Sequence, residues 1–170
     1  MAIRVAVFAG LIVVSILAKT IVLPTFAIST FRPDVLVIAV VAVALIEGPD
    51  SGIRLGFAAG LVQDLVSGGV ALVGVGALVM MAVGYAAGRS RPYLAAAQQT
   101  GAIALCGTLA AAATLVSGLL GRMLGVIHPS IGRILFAALV VGLYSAAISP
   151  LVLRPTQRLI KHVPPASLAG

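Results

Sequence analysis

The chain has 170 residues, of which 61% are hydrophobic and 9% charged, with a mean hydropathy of +1.22 and a formal net charge of +7. A soluble domain carries about 25% charged residues, so this composition excludes a water-solvated globule and makes lipid the solvent. Spans of about 20 apolar residues fit five or six times into the length, leaving no room for a sizeable soluble domain, and the alternating segments of a transmembrane β-barrel are missing.

Val5 to Leu23 reads as the first span, with Arg4 before it and Lys19 placed to snorkel to an interface. It is long for a signal peptide and lacks a small-residue cleavage site, so it is expected to be retained. Pro24 to Asp34 forms a loop in which Pro33 suits the first turn of the next helix and Asp34 favours the positive end of its dipole. Val35 to Ile46 is apolar but short, and is expected either to cross steeply between Asp34 and Glu47 or to be partly re-entrant. Glu47 to Gly52 reads as a turn in which Asp50 or Ser51 caps the following helix.

The most patterned stretch is Gly52 to Gly69, GIRLGFAAGLVQDLVSGG. Gly52, Gly56, Gly60 and Asp64 follow one another in steps of four, which aligns them on one stripe of a helix. Glycine there lets a second helix approach closely. An acid on the same stripe is expensive in lipid and should face protein or a polar cavity. The sequence leaves two roles open for Asp64: capping the Ser67-Gly68-Gly69 backbone, or a buried contact with a partner group.

Val70 to Ala87 is the fourth span, with small residues at Gly74, Gly76, Gly84 and Gly88, and Gly88 to Tyr93 is expected to be a loop. Ala102 to Leu120 and Ile134 to Leu153 are the fifth and sixth spans, the last with Ser145 and Ser149 on one side and Pro150 near its end. The expected layout is a single transmembrane domain over 1–155, with spans near 5–23, 34–47, 52–67, 70–88, 101–121 and 132–153, and a disordered tail at 156–170. The fold class is thus an all-α integral membrane protein, a six-helix transmembrane bundle. No internal repeat is evident, and the glycine stripe has no mirror in the other half.

The basic residues lie singly at helix ends, with no basic face and no interleaved aromatics, so the charge implies no nucleic acid. It orients the chain instead. With both termini inside, Arg4, Arg54, Arg89, Arg91, Arg154, Arg158 and Lys161 are cytoplasmic, and Lys19, Arg32, Arg122 and Arg133 are outside. That asymmetry favours cytoplasmic termini. Cys106, the single cysteine, sits in an apolar run as a small core hydrophobe. His128 is a loop residue without a second ligand at metal spacing. The acids are Asp34, Glu47, Asp50 and Asp64, too few and too scattered for acid/base catalysis. Neither an enzyme nor a cofactor is expected.

The runs FRPDVLVIAV (31–40), GIRLGFAAGLVQDLVSGGVALVGVGAL (52–78) and YAAGRSR (85–91) together resemble the MreD family of rod shape-determining membrane proteins. Arg32, Pro33, Asp34, Gly60, Asp64, Ser67 and Gly68 are the matching positions; from Ala95 onward the likeness is only one of apolar helices. The resemblance implies a bacterial inner-membrane protein of the cell-elongation machinery, similar in fold to the S-components of ECF-type vitamin transporters. It implies a non-enzymatic scaffold that binds MreC and, through it, meets MreB filaments, RodA and its transpeptidase, and so helps couple the filaments to peptidoglycan synthesis. The candidate helix-packing or partner-binding residues are Arg32, Pro33, Asp34, Gly52, Gly56, Gly60, Asp64, Ser67 and Gly68. The alternative is a small-solute-binding S-component, which would need a pocket lined by several polar groups.

Overall fold

The computed structural model describes residues 35–66, 74–94, 98–125 and 130–161, together with Gly10, which is helical. The rest of the expected first span, the loop 24–34 and the tail after Lys161 lie outside the described residues. Among the described residues there are five helices and no strand: α1 (Val35–Glu47), α2 (Pro49–Val66), α3 (Val75–Leu94), α4 (Gln98–Met123) and α5 (Ile131–Lys161).

The centre of the bundle is α1. Its sequence, VLVIAVVAVALIE, is apolar on every face, and a helix apolar all round must be covered all round. Every residue from Leu36 to Ala44 is at most 4% exposed, and α1 touches each of the other four described helices. Thirteen residues rise only about 20 Å, against a hydrocarbon core of about 30 Å. The shortness of this segment therefore goes with enclosure by protein. The segment expected to cross steeply or re-enter is one continuous helix.

Its C-terminus corrects one expectation. The turn foreseen over Glu47 to Gly52 is a single residue, Gly48, at φ 103°. The Gly48 amide donates to the Ala44 carbonyl at 2.9 Å and its own carbonyl accepts from the Gly52 amide at 3.1 Å. Gly48 thus closes α1 and opens α2. Pro49 takes the first position of α2, where its missing N–H is no loss, and Asp50 lies in the first turn, not at the cap.

The loop expected at Gly88 to Tyr93 is likewise helical, with Pro92 inside the last turn of α3. The Ser90 hydroxyl donates back to the Ala86 carbonyl at 2.8 Å. Gly88 is buried and lies against Pro49, so this glycine serves close packing and does not break the helix.

α2 with α3, and α4 with α5, form the two most extensive helix pairs. Apolar stretches of α4 (Thr100–Met123, 24 residues) and α5 (Ile131–Leu153, 23 residues) are long enough to cross a membrane. On α5, Leu135, Leu139, Leu143 and Leu151 are exposed at four-residue multiples along one stripe. Water would penalise such a contiguous apolar face; lipid does not. Ser145 and Ser149 are fully buried, and the Ser149 hydroxyl donates to the Ala146 carbonyl at 2.8 Å. Cys106 is fully buried in the core. α5 does not stop at Leu153: it continues through Pro150 and Arg154 to Lys161, taking in the first residues of the expected tail. Extending an existing helix costs far less than nucleating one.

Candidate functional site

The stripe singled out by its spacing becomes an antiparallel helix seam. A methyl group at Gly52 would strike the Gly84 carbonyl oxygen and lie 2.8 Å from the Ala44 Cβ. At Gly56 it would strike the Met80 carbonyl, and at Gly60 it would lie 2.5 Å from the Ala77 Cα and 2.6 Å from the Gly76 oxygen. The same holds from the other side, where Gly84 meets the Gly52 carbonyl and Gly88 meets Pro49. The obstacles are mostly backbone atoms, which cannot swing aside as a side chain can. Both helices therefore run at a separation that only hydrogen at Cα permits.

α3 answers the stripe of α2 with its own. Gly76, Met80, Gly84 and Gly88 also follow in steps of four. Sequence reasoning noted the glycines among these as small residues without pairing them to Gly52, Gly56 and Gly60. The equal spacing in two consecutive helices was the available signal, since antiparallel neighbours bring such stripes face to face.

Asp64 completes the seam one turn beyond Gly60. It is 6% exposed. Its Oδ2 accepts from the Gly74 amide at 2.8 Å and from the Ala77 amide at 3.3 Å. Gly74 is the residue whose carbonyl accepts the first bond of α3, from Leu78 at 3.0 Å. A helix start normally has a Ser, Thr, Asp or Asn side chain at that position to satisfy the exposed amides. Glycine has none, so the carboxylate of the preceding helix supplies the cap from across the seam. Negative charge there also complements the helix dipole. A methyl at Gly76 would strike the Asp64 Oδ1, so a side chain there would push the carboxylate off the cap. The contact that the structure shows for Asp64 is buried and lies within the chain, at the start of α3; the Ser67-Gly68-Gly69 backbone lies outside the described residues.

The other candidate positions divide simply. Gly52, Gly56, Gly60 and Asp64 come together on one seam, whereas Arg32, Pro33, Asp34, Ser67 and Gly68 lie outside the described residues. Among the described residues no three His, Cys, Asp or Glu side chains gather where they could hold a metal ion.

The α4–α5 pair repeats the antiparallel arrangement in a softer form, without a stripe of glycines at four-residue spacing. Methyl groups at Gly107 and Gly142 would lie 2.9 Å from the Cβ atoms of Ala146 and Ala111, and at Gly118 one would lie 2.9 Å from the Ile134 Cγ2.

Neither the curated proteins nor the solved structures yielded a match to this chain, and nothing in the comparisons supports the solute-binding alternative. A family model described as rod shape-determining protein MreD matches residues 1–162. That family is one of shape-determining structural proteins and not a known enzyme family, and the two long apolar helices fit a membrane location. With nearly its whole length matched, the chain belongs to the MreD family of rod shape-determining proteins.

Proposed function

We propose that the protein is a non-enzymatic scaffold of the cell-elongation machinery in the bacterial inner membrane. It crosses six times with both termini in the cytoplasm, binds MreC, and helps couple MreB filaments to wall synthesis by RodA and its transpeptidase. The observation that carries this reading is the family match over residues 1–162. Two features agree with it. The polar group most suggestive of chemistry, Asp64, has its Oδ2 occupied by two backbone amides of the fold, and the glycine seam joins helices of this chain to each other. In this reading Gly52, Gly56, Gly60 and Asp64 hold the bundle in one shape, and partners meet other surfaces. Cytoplasmic termini follow from the excess of Lys and Arg assigned to that side.

Detergent co-purification of the tagged protein from its native membrane, followed by mass spectrometry, tests the proposal. MreC recovered with RodA and its transpeptidase is the expected result. Paired ATPases with a coupling subunit in their place would overturn it and make the protein a solute-uptake component.

A further inference from the structure

The topology gathers cations at one end of the bundle. α1 ends at Glu47, and Gly48 alone leads into α2. Gly88 near the end of α3 lies against Pro49, so α3 finishes beside the start of α2. Only residues 95–97 separate α3 from α4. α4 and α5 are antiparallel, with Gly107 near Ala146 and Gly118 near Ile134, so the last turns of α5 return to the same end.

Arg54, Arg89 and Arg91 are exposed there, as is Tyr93 at 75%. Arg154, Arg158 and Lys161 fall in the eight residues of α5 that follow Leu153, and their spacing of four and three places these positions on one helical stripe. The carboxylates at this end are Glu47, half-buried, and Asp50, exposed. Among the described residues cations thus outnumber acids at this end six to two. Of the described residues at the opposite end, the charged ones are Arg122, Arg133 and the buried Asp64.

The depth of these charges decides what they meet. The 23-residue apolar stretch Ile131–Leu153 is about 35 Å long, enough for a hydrocarbon core of about 30 Å. The basic turns of α5 begin where that stretch ends, at the level of lipid phosphates. Arg89 and Arg91 occupy the last turns of α3. Arg54 lies a turn deeper, where a long apolar stem carries its charge outward, and an exposed tyrosine suits the same layer. The cations belong to three different helices at one boundary, an arrangement that fits a sheet of headgroups better than one acidic polypeptide. We propose that this end of the bundle binds the phosphate headgroups of anionic phospholipids, with Arg89 and Arg91 as the central contacts. The proposal rests on the membrane reading above but not on which side of the membrane this end occupies.

The test uses the full chain reconstituted in nanodiscs of phosphatidylcholine mixed with phosphatidylglycerol, then extracted gently, with the retained lipids identified by native mass spectrometry. Wild type is expected to enrich phosphatidylglycerol over the starting mixture, and salt should weaken that enrichment. At about fivefold per cation near the surface, the double variant Arg89→Gln/Arg91→Gln should lose most of it, while Arg133→Gln at the opposite end should leave it intact. If the double variant does not fold, Arg158→Gln/Lys161→Gln gives the same reading from α5. Equal retention of both lipids by wild type overturns the proposal. So does enrichment that survives both pairs of substitutions. Thiol labelling of an Arg91→Cys variant from either side of the membrane reports orientation separately, so a wrong topology and a wrong lipid assignment give different results.

Discussion

The two helix pairs solve one problem with different tolerances. In α2–α3 the contact at Gly52, Gly56, Gly60, Gly76, Gly84 and Gly88 is made largely against backbone or against the Asp64 carboxylate. In α4–α5 the nearest atoms to Gly107, Gly142 and Gly118 are the Cβ atoms of Ala146 and Ala111 and the Cγ2 of Ile134, with carbonyl oxygens of Gly142 and Gly107 no nearer than 2.9 Å. In the first pair backbone atoms stand deep in the space a methyl would need, whereas in the second the overlap at Gly107 and Gly142 is slighter, at 2.9 Å or more, and at Gly118 only the flexible Ile134 side chain stands in the way. The first pair is therefore a fixed clasp, closed by the Asp64 cap, and the second is an adjustable packing surface whose outer faces meet lipid. Lipid gives helices no hydrophobic reason to associate, so close backbone approach is what remains to hold them.

The largest effect should come from overfilling the clasp. Gly56→Ala is expected to destabilise by about 2–3 kcal/mol, at the upper end for overpacking, and Gly56→Leu or Gly60→Leu should leave little folded protein. Thermal unfolding in detergent, read alongside co-purification of partners, measures this. Unchanged stability in the Gly56→Leu protein would mean that the two helices are not in backbone contact.

Next comes the cap. Asp64→Leu leaves the half-buried amide of Gly74 and the buried amide of Ala77 without their acceptor and should cost about 1–3 kcal/mol. Asp64→Asn keeps an oxygen in place and loses only the charge at the helix start, a change of about 0.3–1 kcal/mol. A Leu variant as stable as the Asn variant would remove Asp64 from the clasp altogether.

How much of this was legible depended on the kind of signal. The stripe of Gly52, Gly56, Gly60 and Asp64 could be read because helical spacing is a local property of one segment. Its partner on α3 was visible as Gly76, Gly84 and Gly88, but the pairing is a fact about two segments, and the spacing of one does not state it. The target of Asp64 was hidden for the same reason: ten residues separate it from Gly74, and an uncapped glycine announces no donor. The surroundings of α1 were legible in another way: the absence of any polar face from Val35 to Ile46 is the sign of burial on all sides. Gly88 and Pro92 misled because glycine and proline usually punctuate helices; here one serves a close contact, and the other sits in a last turn that tolerates it.

Smaller effects separate the two pairs more finely. Gly107→Ala and Gly142→Ala should each cost about 1 kcal/mol, at the low end for an added methyl in a packed site, because the opposing alanines must shift slightly. Gly118→Ala should cost less still, since only the Ile134 side chain stands in its way. If these substitutions proved as damaging as Gly56→Ala, measured in the same unfolding assay, the distinction between clasp and adjustable surface would fall.

Gly132→Ala supplies the reference for all of them. Gly132 is exposed in the first turn of α5, with nothing within 4 Å of the place a methyl would occupy. Alanine there removes backbone freedom from the unfolded chain without meeting any neighbour, so it should stabilise by about 0.4–1 kcal/mol. That gain is intrinsic to exchanging glycine for alanine in a helix, and it is present, unseen, in every other glycine substitution above. Subtracting it sharpens the comparison: the true packing penalty at Gly107 or Gly142 is the measured loss plus this gain. A destabilising Gly132→Ala, seen as a lowered Tm, would show that α5 is covered at its start by something that the described helices do not provide.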